Sequence, residues 1–280
     1  MLRRKQGAEI HLVEADDGAL IHVELWGTGQ PVVLVHGWTM SGEFWVRQKE
    51  GLADDFQVVV MDLRSHGNSS KILQGHTMPQ YARDIRSVIA YLGLRETVLA
   101  GWSLGGPVVL EYWKTYGGRG ISAMALVEMT PCAMSPEAWN THSLRGHNFD
   151  GLNEAMLSLQ EDRRAYGSRF IDIMFKQGEA PTEDRAWMLR EHLKTPTPAA
   201  VAAYSDYVMR DYTTVLETIS VPVLVANGDS THMAFGPKTG RYVADAIPDG
   251  RLKLFENSGH LPFYEEADAF NKALADIARG

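Results

Sequence analysis

One cysteine, Cys132, stands in 280 residues. A lone thiol cannot staple the chain, so no intramolecular disulfide framework is available and a buried core must hold the fold. Basic residues are also short: 27 Lys and Arg against 35 Asp and Glu, a formal net charge of −8. That argues against nucleic-acid binding, which needs a basic face, and against docking on an anionic membrane surface. No stretch approaches the roughly 20 apolar residues of a membrane span. The basic start, Met1–Gly7, is followed by no apolar stretch, so no signal peptide is expected and the cytoplasm is the expected compartment. Repeats and low-complexity segments are absent. At 45% apolar residues and 9% aromatic, the composition excludes a disordered chain. A chain this long buries roughly three quarters of its unfolded surface.

Two alternating runs, Glu9–Glu14 and Leu20–Leu25, flank Asp16-Asp17-Gly18 and read as a hairpin. The pattern then changes to short, β-branched, continuously apolar runs: Pro31–Val35, Phe56–Met61, Thr97–Ala100, Ala123–Val127, Val221–Ala226 and Leu252–Phe255. Such runs mark strands buried on both faces, as in a parallel sheet. Helical periodicity falls between most of them, at Gln80–Leu92, Leu104–Tyr116, Gly240–Ala246 and Ala267–Ala278. An α/β architecture of right-handed crossovers follows. Gly27-Thr-Gly29 precedes a strand instead of opening a helix, so it is no nucleotide loop.

One connection is too long. About ninety residues separate Val127 from Val221, where a crossover needs a dozen or so. Helix-like pieces fill it: Leu152–Gln160, Arg169–Phe175, Glu183–His192 with Thr182 as N-cap, and Ala199–Met209. Residues 132–219 read as a helical cap with its own small core, inserted into an α/β core of residues 1–131 and 220–280. Its Met, Phe and Trp residues suggest an apolar pocket for a medium-sized apolar or aromatic substrate.

Gly101-Trp102-Ser103-Leu104-Gly105 lies between the run Thr97–Ala100 and a helix, the strand–turn–helix setting of a nucleophile elbow. Glycine two residues before and after the serine removes side chains that would strike neighbouring backbone. Ser103 then stands at a helix N-terminus that favours developing negative charge. A serine hydroxyl needs a base of near-neutral pKa. His260, in Glu256-Asn-Ser-Gly-His260 after the last strand, lies at the matching sheet edge. Two strand-end carboxylates compete to orient it: Glu128, in Leu-Val-Glu-Met-Thr-Pro131, and Asp229, in Ala-Asn-Gly-Asp229. A glutamate ending a buried apolar run is costly without a partner.

Together, His36-Gly-Trp38, Asp62-Leu-Arg-Ser-His-Gly-Asn-Ser69, the Ser103 turn, Asn227-Gly-Asp229 and Ser258-Gly-His260 resemble the α/β-hydrolase superfamily, nearest to its cofactor-free haloperoxidases and related esterases. The likeness covers residues 10–130 and 220–280 and says little of the insertion. It implies the α/β-hydrolase fold, a mostly parallel central sheet flanked by helices. It also implies an oxyanion hole from the backbone N–H groups of Trp38 and Leu104, structural roles for Asp62 and Arg64, and no cofactor. Ser65 stands where the family has glycine, and no function is read into it. In many members the acid lies three residues after the glycine of the Gly-Asp segment; here that position is Thr231. In others, such as haloalkane dehalogenases and zearalenone lactonases, it ends the preceding strand. The likeness therefore favours Glu128 as acid, with Asp229 as the alternative.

Serine at the elbow excludes the aspartate chemistry of dehalogenases and epoxide hydrolases. His142 and His147 lie five apart with no carboxylate or cysteine cluster and read as polar loop histidines, not a metal site. Cys132 reads as a small buried residue. The expected reaction is hydrolysis of an ester or lactone through an acyl-enzyme. Carbon–carbon bond hydrolysis or perhydrolysis on the same triad is the alternative. A thioesterase and a non-catalytic ligand-binding protein stand behind them.

Overall fold

The computed structural model describes residues 8–229, 232–233 and 235–280; the basic start Met1–Gly7 and Thr231 lie outside the described residues. Eight strands form one sheet: β1 (Glu9–Glu14), β2 (Leu20–Trp26), β3 (Gln30–Val35), β4 (Phe56–Met61), β5 (Thr97–Trp102), β6 (Ile121–Val127), β7 (Val223–Gly228) and β8 (Gly250–Phe255). Their order is β1-β2-β4-β3-β5-β6-β7-β8. The hairpin β1–β2 and the pair β2–β4 are antiparallel, and every other pairing is parallel.

Central strands are buried on both faces because helices cover both. Val33, Val35 and Leu99 point to one layer, with α2 (Met78–Tyr91), α3 (Gly105–Tyr116) and α9 (Pro237–Ala246). Val32, Leu34 and Val98 point to the other, with α1 (Val46–Leu52) and α11 (Ala267–Arg279). The edge strand β8 alternates in burial, since only one side of it is covered. The sequence pattern missed α1: its seven residues are too few for a clear period, and it buries the polar Gln48 and Lys49.

Between β6 and β7 run α4 (Phe149–Glu161), α5 (Arg163–Met174), α6 (Thr182–Leu193), α7 (Thr197–Val208) and the short α8 (Thr213–Leu216). Thr182 is the first helical residue of α6, and Pro181 occupies the cap position expected of it. A further short helix, α10 (Pro262–Glu265), follows the histidine loop. The inserted helices have no core of their own, contrary to expectation. Met134, Met156 and Leu159 join the apolar cluster of one sheet face, and Ile171, Met174 and Met188 that of the other. Their apolar residues thus extend both layers.

Asp62 and Arg64 hold loops together. The Asp62 carboxylate accepts the N–H groups of Gly42 (2.6 Å) and Asn68 (2.7 Å) and contacts His22 Nδ1 at 3.3 Å. Although burial opposes it, these donors keep the Asp62 carboxyl well below its ordinary range. Arg64 pairs with Asp84 (2.5 Å) and Asp17 (2.7 Å), and neither it nor Asp84 has any exposed side-chain surface. Ser65 adopts φ +62°, the left-handed region that favours glycine.

Candidate active site

Ser103 follows β5 with φ +55°, a left-handed conformation that costs a non-glycine residue about 1–3 kcal/mol. Two close approaches enforce the turn. A Cβ on Gly101 would lie 2.2 Å from the Gly105 carbonyl oxygen, and one on Gly105 would lie 2.5 Å from that of Val35. The Ser103 N–H donates to Val127 O at 2.9 Å, tying the turn to β6. A Cβ on Gly37 would lie 3.1 Å from Ser103 Cβ, so the loop carrying Trp38 runs alongside the serine. Among the described residues, neither the Trp38 nor the Leu104 amide N–H is taken by an intramolecular acceptor.

Glu128 stands one residue past β6, buried and also left-handed at φ +45°. Its Oε1 accepts from Gly228 N (2.6 Å) and Asn227 Nδ2 (3.2 Å), and its Oε2 meets His260 Nδ1 at 3.1 Å. A carboxylate on Nδ1 puts the ring proton there and leaves the Nε2 lone pair free, the tautomer a general base needs. His260 Nε2 is buried and has no hydrogen-bond partner among the described residues. No hydrogen bond joins Ser103 to His260; such contacts are often long in an unliganded site and tighten on binding.

Burial raises the Glu128 carboxyl well above the usual carboxylate range, opposed by the donors on Gly228 and Asn227. Burial likewise lowers the His260 imidazole to about 3, with His142 adding to the effect, so the ring is neutral at rest. An imidazolium forming 3.1 Å from Glu128 would favour the carboxylate in turn.

Asp229 is elsewhere. It is exposed, pairs with Lys176 at 3.3 Å, and makes no contact with His260; β7 ends at Gly228, two residues beyond the run the sequence suggested. Of the two carboxylates, only Glu128 is brought to the histidine.

His142 does lie in a loop, as its sequence context suggested. It is buried, its Nδ1 accepts the Leu144 N–H at 3.1 Å, and burial lowers it to about 4. The buried Asn140 causes this: its side chain ties Ala133 O and Ser135 O (both 2.9 Å) and accepts the His142 N–H, folding the loop inward. Phe235, which the sequence did not single out, stacks on His260 at 5.1 Å and meets the edge of His142 at 5.3 Å. His147 is exposed, and Cys132 is half-buried where burial was expected. Among the described residues, no group of three His, Cys, Asp or Glu is placed to hold a metal ion.

Above the serine loop, Trp38 anchors to the insertion by donating Nε1–H to Ala200 O at 2.8 Å. Its ring packs against Tyr204 (4.7 Å), Phe170 (5.7 Å) and Tyr166 (6.1 Å). The histidine loop is anchored too, with His260 N donating to Met174 O at 2.7 Å.

A strained serine at a strand–helix turn, a carboxylate-held histidine on the last loop and a mostly parallel sheet together define a protein class. Residues 30–267 match the model of the alpha/beta hydrolase fold family, and the chain belongs to that family. It is 28% identical over 269 residues to a non-heme haloperoxidase of Rhodococcus erythropolis, covering 94% of this chain and 97% of that protein. A bifunctional esterase/perhydrolase of Acinetobacter calcoaceticus is also 28% identical, over 95% of this chain and 99% of that protein. Among solved structures, the esterase of Exiguobacterium antarcticum superposes with a TM-score of 0.89 at 25% identity, covering 98% of this chain and all of that one. No helix among the described residues is long and apolar enough to cross a membrane.

Proposed function

We propose that this chain hydrolyses a carboxylic ester or lactone of a medium-sized apolar or aromatic substrate through an acyl-enzyme. The observation that carries this is the 3.1 Å contact between His260 Nδ1 and Glu128, together with the left-handed turn that puts Ser103 at the end of the strand next to the one Glu128 follows. Ser103 attacks the carbonyl, and His260 Nε2 takes its proton. The amides of Trp38 and Leu104, free of intramolecular acceptors, receive the oxyanion, a contribution of about 3–4 kcal/mol for a preorganised donor. The leaving alcohol takes the proton from His260. Water then gives its proton to the same nitrogen, attacks the acyl group and frees the acid. Residues 132–219 act as the cap, and the aromatic rings around Trp38 face the apolar part of the substrate. The working form is a cytoplasmic enzyme that needs no cofactor.

A second reading, perhydrolysis, is favoured by the relatives named haloperoxidase and esterase/perhydrolase. Hydrogen peroxide in place of water would attack the acyl-enzyme and release a peracid.

The test is Ser103→Ala against the wild type with p-nitrophenyl acetate and butyrate, with covalent labelling by a fluorophosphonate. Loss of turnover and of the mass shift on the Ser103 peptide is the expected result. Turnover that survives Ser103→Ala would sink the acyl-enzyme. Peroxide-dependent bromination in acetate buffer, also lost in Ser103→Ala, would identify perhydrolysis.

A further inference from the structure

Thr39, next to Trp38, is fully buried and holds φ +59°, a costly state for a β-branched residue. Its hydroxyl donates to Trp38 O at 2.6 Å and so must accept from its other neighbour, His192 Nδ1, at 2.8 Å. His192 lies near the end of α6 and is also fully buried. Its Nε2 faces Arg163 Nη1, and Arg163 Nη2 donates to the His192 carbonyl at 2.9 Å. A guanidinium can only donate, so His192 is neutral with its proton on Nδ1. Every donor then points the same way: Arg163 to His192, His192 to Thr39, Thr39 to the carbonyl of Trp38. Bonds chained in one sense polarise one another.

Three further features show that the arrangement is built. Arg163 makes none of the ion pairs found among the described residues; its two terminal nitrogens both bond His192, while its buried Nε–H has no partner. Gly167 sits inside α5, where glycine costs about 1 kcal/mol against alanine. A Cβ there would lie 2.4 Å from the His192 ring, so the ring seats directly on the helix backbone. The residue before His192, Glu191, accepts from Ser41 Oγ at 2.7 Å and fastens the same loop two positions on from Thr39.

We infer that His192 is a positioning residue: helices α5 and α6 hold the Trp38 amide in place through the chain Arg163–His192–Thr39, making oxyanion stabilisation depend on the insertion. The inference rests on the proposed role of the Trp38 amide. A misplacement of about 1 Å in such a donor is worth about a hundredfold in rate.

The experiment compares His192→Ala, Thr39→Val and Thr39→Ser with the wild type on p-nitrophenyl butyrate, each checked by near-ultraviolet circular dichroism. His192→Ala and Thr39→Val should lose about tenfold to a hundredfold in kcat with KM within about twofold. Thr39→Ser keeps the hydroxyl and should stay near wild type. Fluorophosphonate labelling should slow in step with kcat, because the tetrahedral adduct uses the same amides. Unchanged kcat in folded His192→Ala or Thr39→Val would overturn the inference, as would a Thr39→Ser as slow as Thr39→Val. If His192→Ala fails to fold, the two Thr39 variants decide. Ser103→Ala is run alongside: activity surviving there strikes the hydrolase reading itself, whereas activity lost there but intact in the other variants strikes only the role of His192.

Discussion

His260 Nδ1 lies 3.1 Å from Oε2 of Glu128, a residue 132 positions earlier in the chain. Ser103 and Glu128 follow neighbouring parallel strands, β5 and β6, each in the left-handed region one residue past the strand. The serine and the carboxylate are thus fixed by one rung of the sheet, and only the histidine arrives on a loop, between β8 and α10.

Glu128→Gln should therefore cut kcat on p-nitrophenyl butyrate by about a thousandfold or more, because a glutamine misplaces the imidazole tautomer. Asp229→Asn, at an exposed ion pair, should stay within about twofold. The reverse outcome would return the acid to Asp229.

Gly101→Ala places a methyl 2.2 Å from the Gly105 carbonyl oxygen, an approach backbone cannot relieve locally. A loss of about 1–3 kcal/mol in urea unfolding is expected, with activity falling as the turn opens. An alanine variant of wild-type stability would mean that the elbow is looser than its geometry.

Arg64→Met removes the cation between Asp84 and Asp17 and leaves the fully buried Asp84 without its partner. Breaking such a pair costs about 3–5 kcal/mol, and a thermal melt would read it. The midpoint should recover in part in Arg64→Met/Asp84→Leu, where the stranded charge is gone.

Stability should decline as pH falls below 6.5. Burial lowers His142 to about 4 and His260 to about 3. Above 6.5 both states leave these rings neutral and nothing changes. Between 6.5 and the folded value, the unfolded chain binds a proton that the folded chain refuses, so His142 removes up to about 1.4 kcal/mol per pH unit; at His260 the raised Glu128 carboxyl, which keeps its proton in the folded chain, acts in the opposite sense. Urea midpoints from pH 7 to pH 5 would check this. His142→Gln should give a shallower slope, and a slope equal to wild type would show that His142 does not contribute.

Much of this site was legible because the chemistry constrains the letters. Gly101 and Gly105 are required by backbone contacts, and Phe56–Met61 matched its strand because a doubly buried run carries its own boundaries. Glu128 and Asp229 could not be separated by residue pattern alone. Both follow apolar runs, and which one faces His260 depends on where β7 stops. That strand runs on through Asn227 and Gly228, whose N–H groups serve Glu128, so a polar, turn-like dipeptide is in fact the end of a strand. The burial of His142 was hidden for a related reason. Its loop is polar in sequence, but Asn140 satisfies the loop carbonyls internally and lets the histidine sink. The relay through His192 was invisible because it joins residues more than 150 positions apart.

The bond from His260 N to Met174 O has a mechanical consequence. The backbone of the histidine loop is spent on the last turn of α5, while Trp38 hangs from α7 through Ala200. An insertion that swings open to admit a molecule must snap these tethers or drag both loops along. On the proposed reading, entry and reactivity share one set of hinges, and loosening the door also unsettles the tools inside.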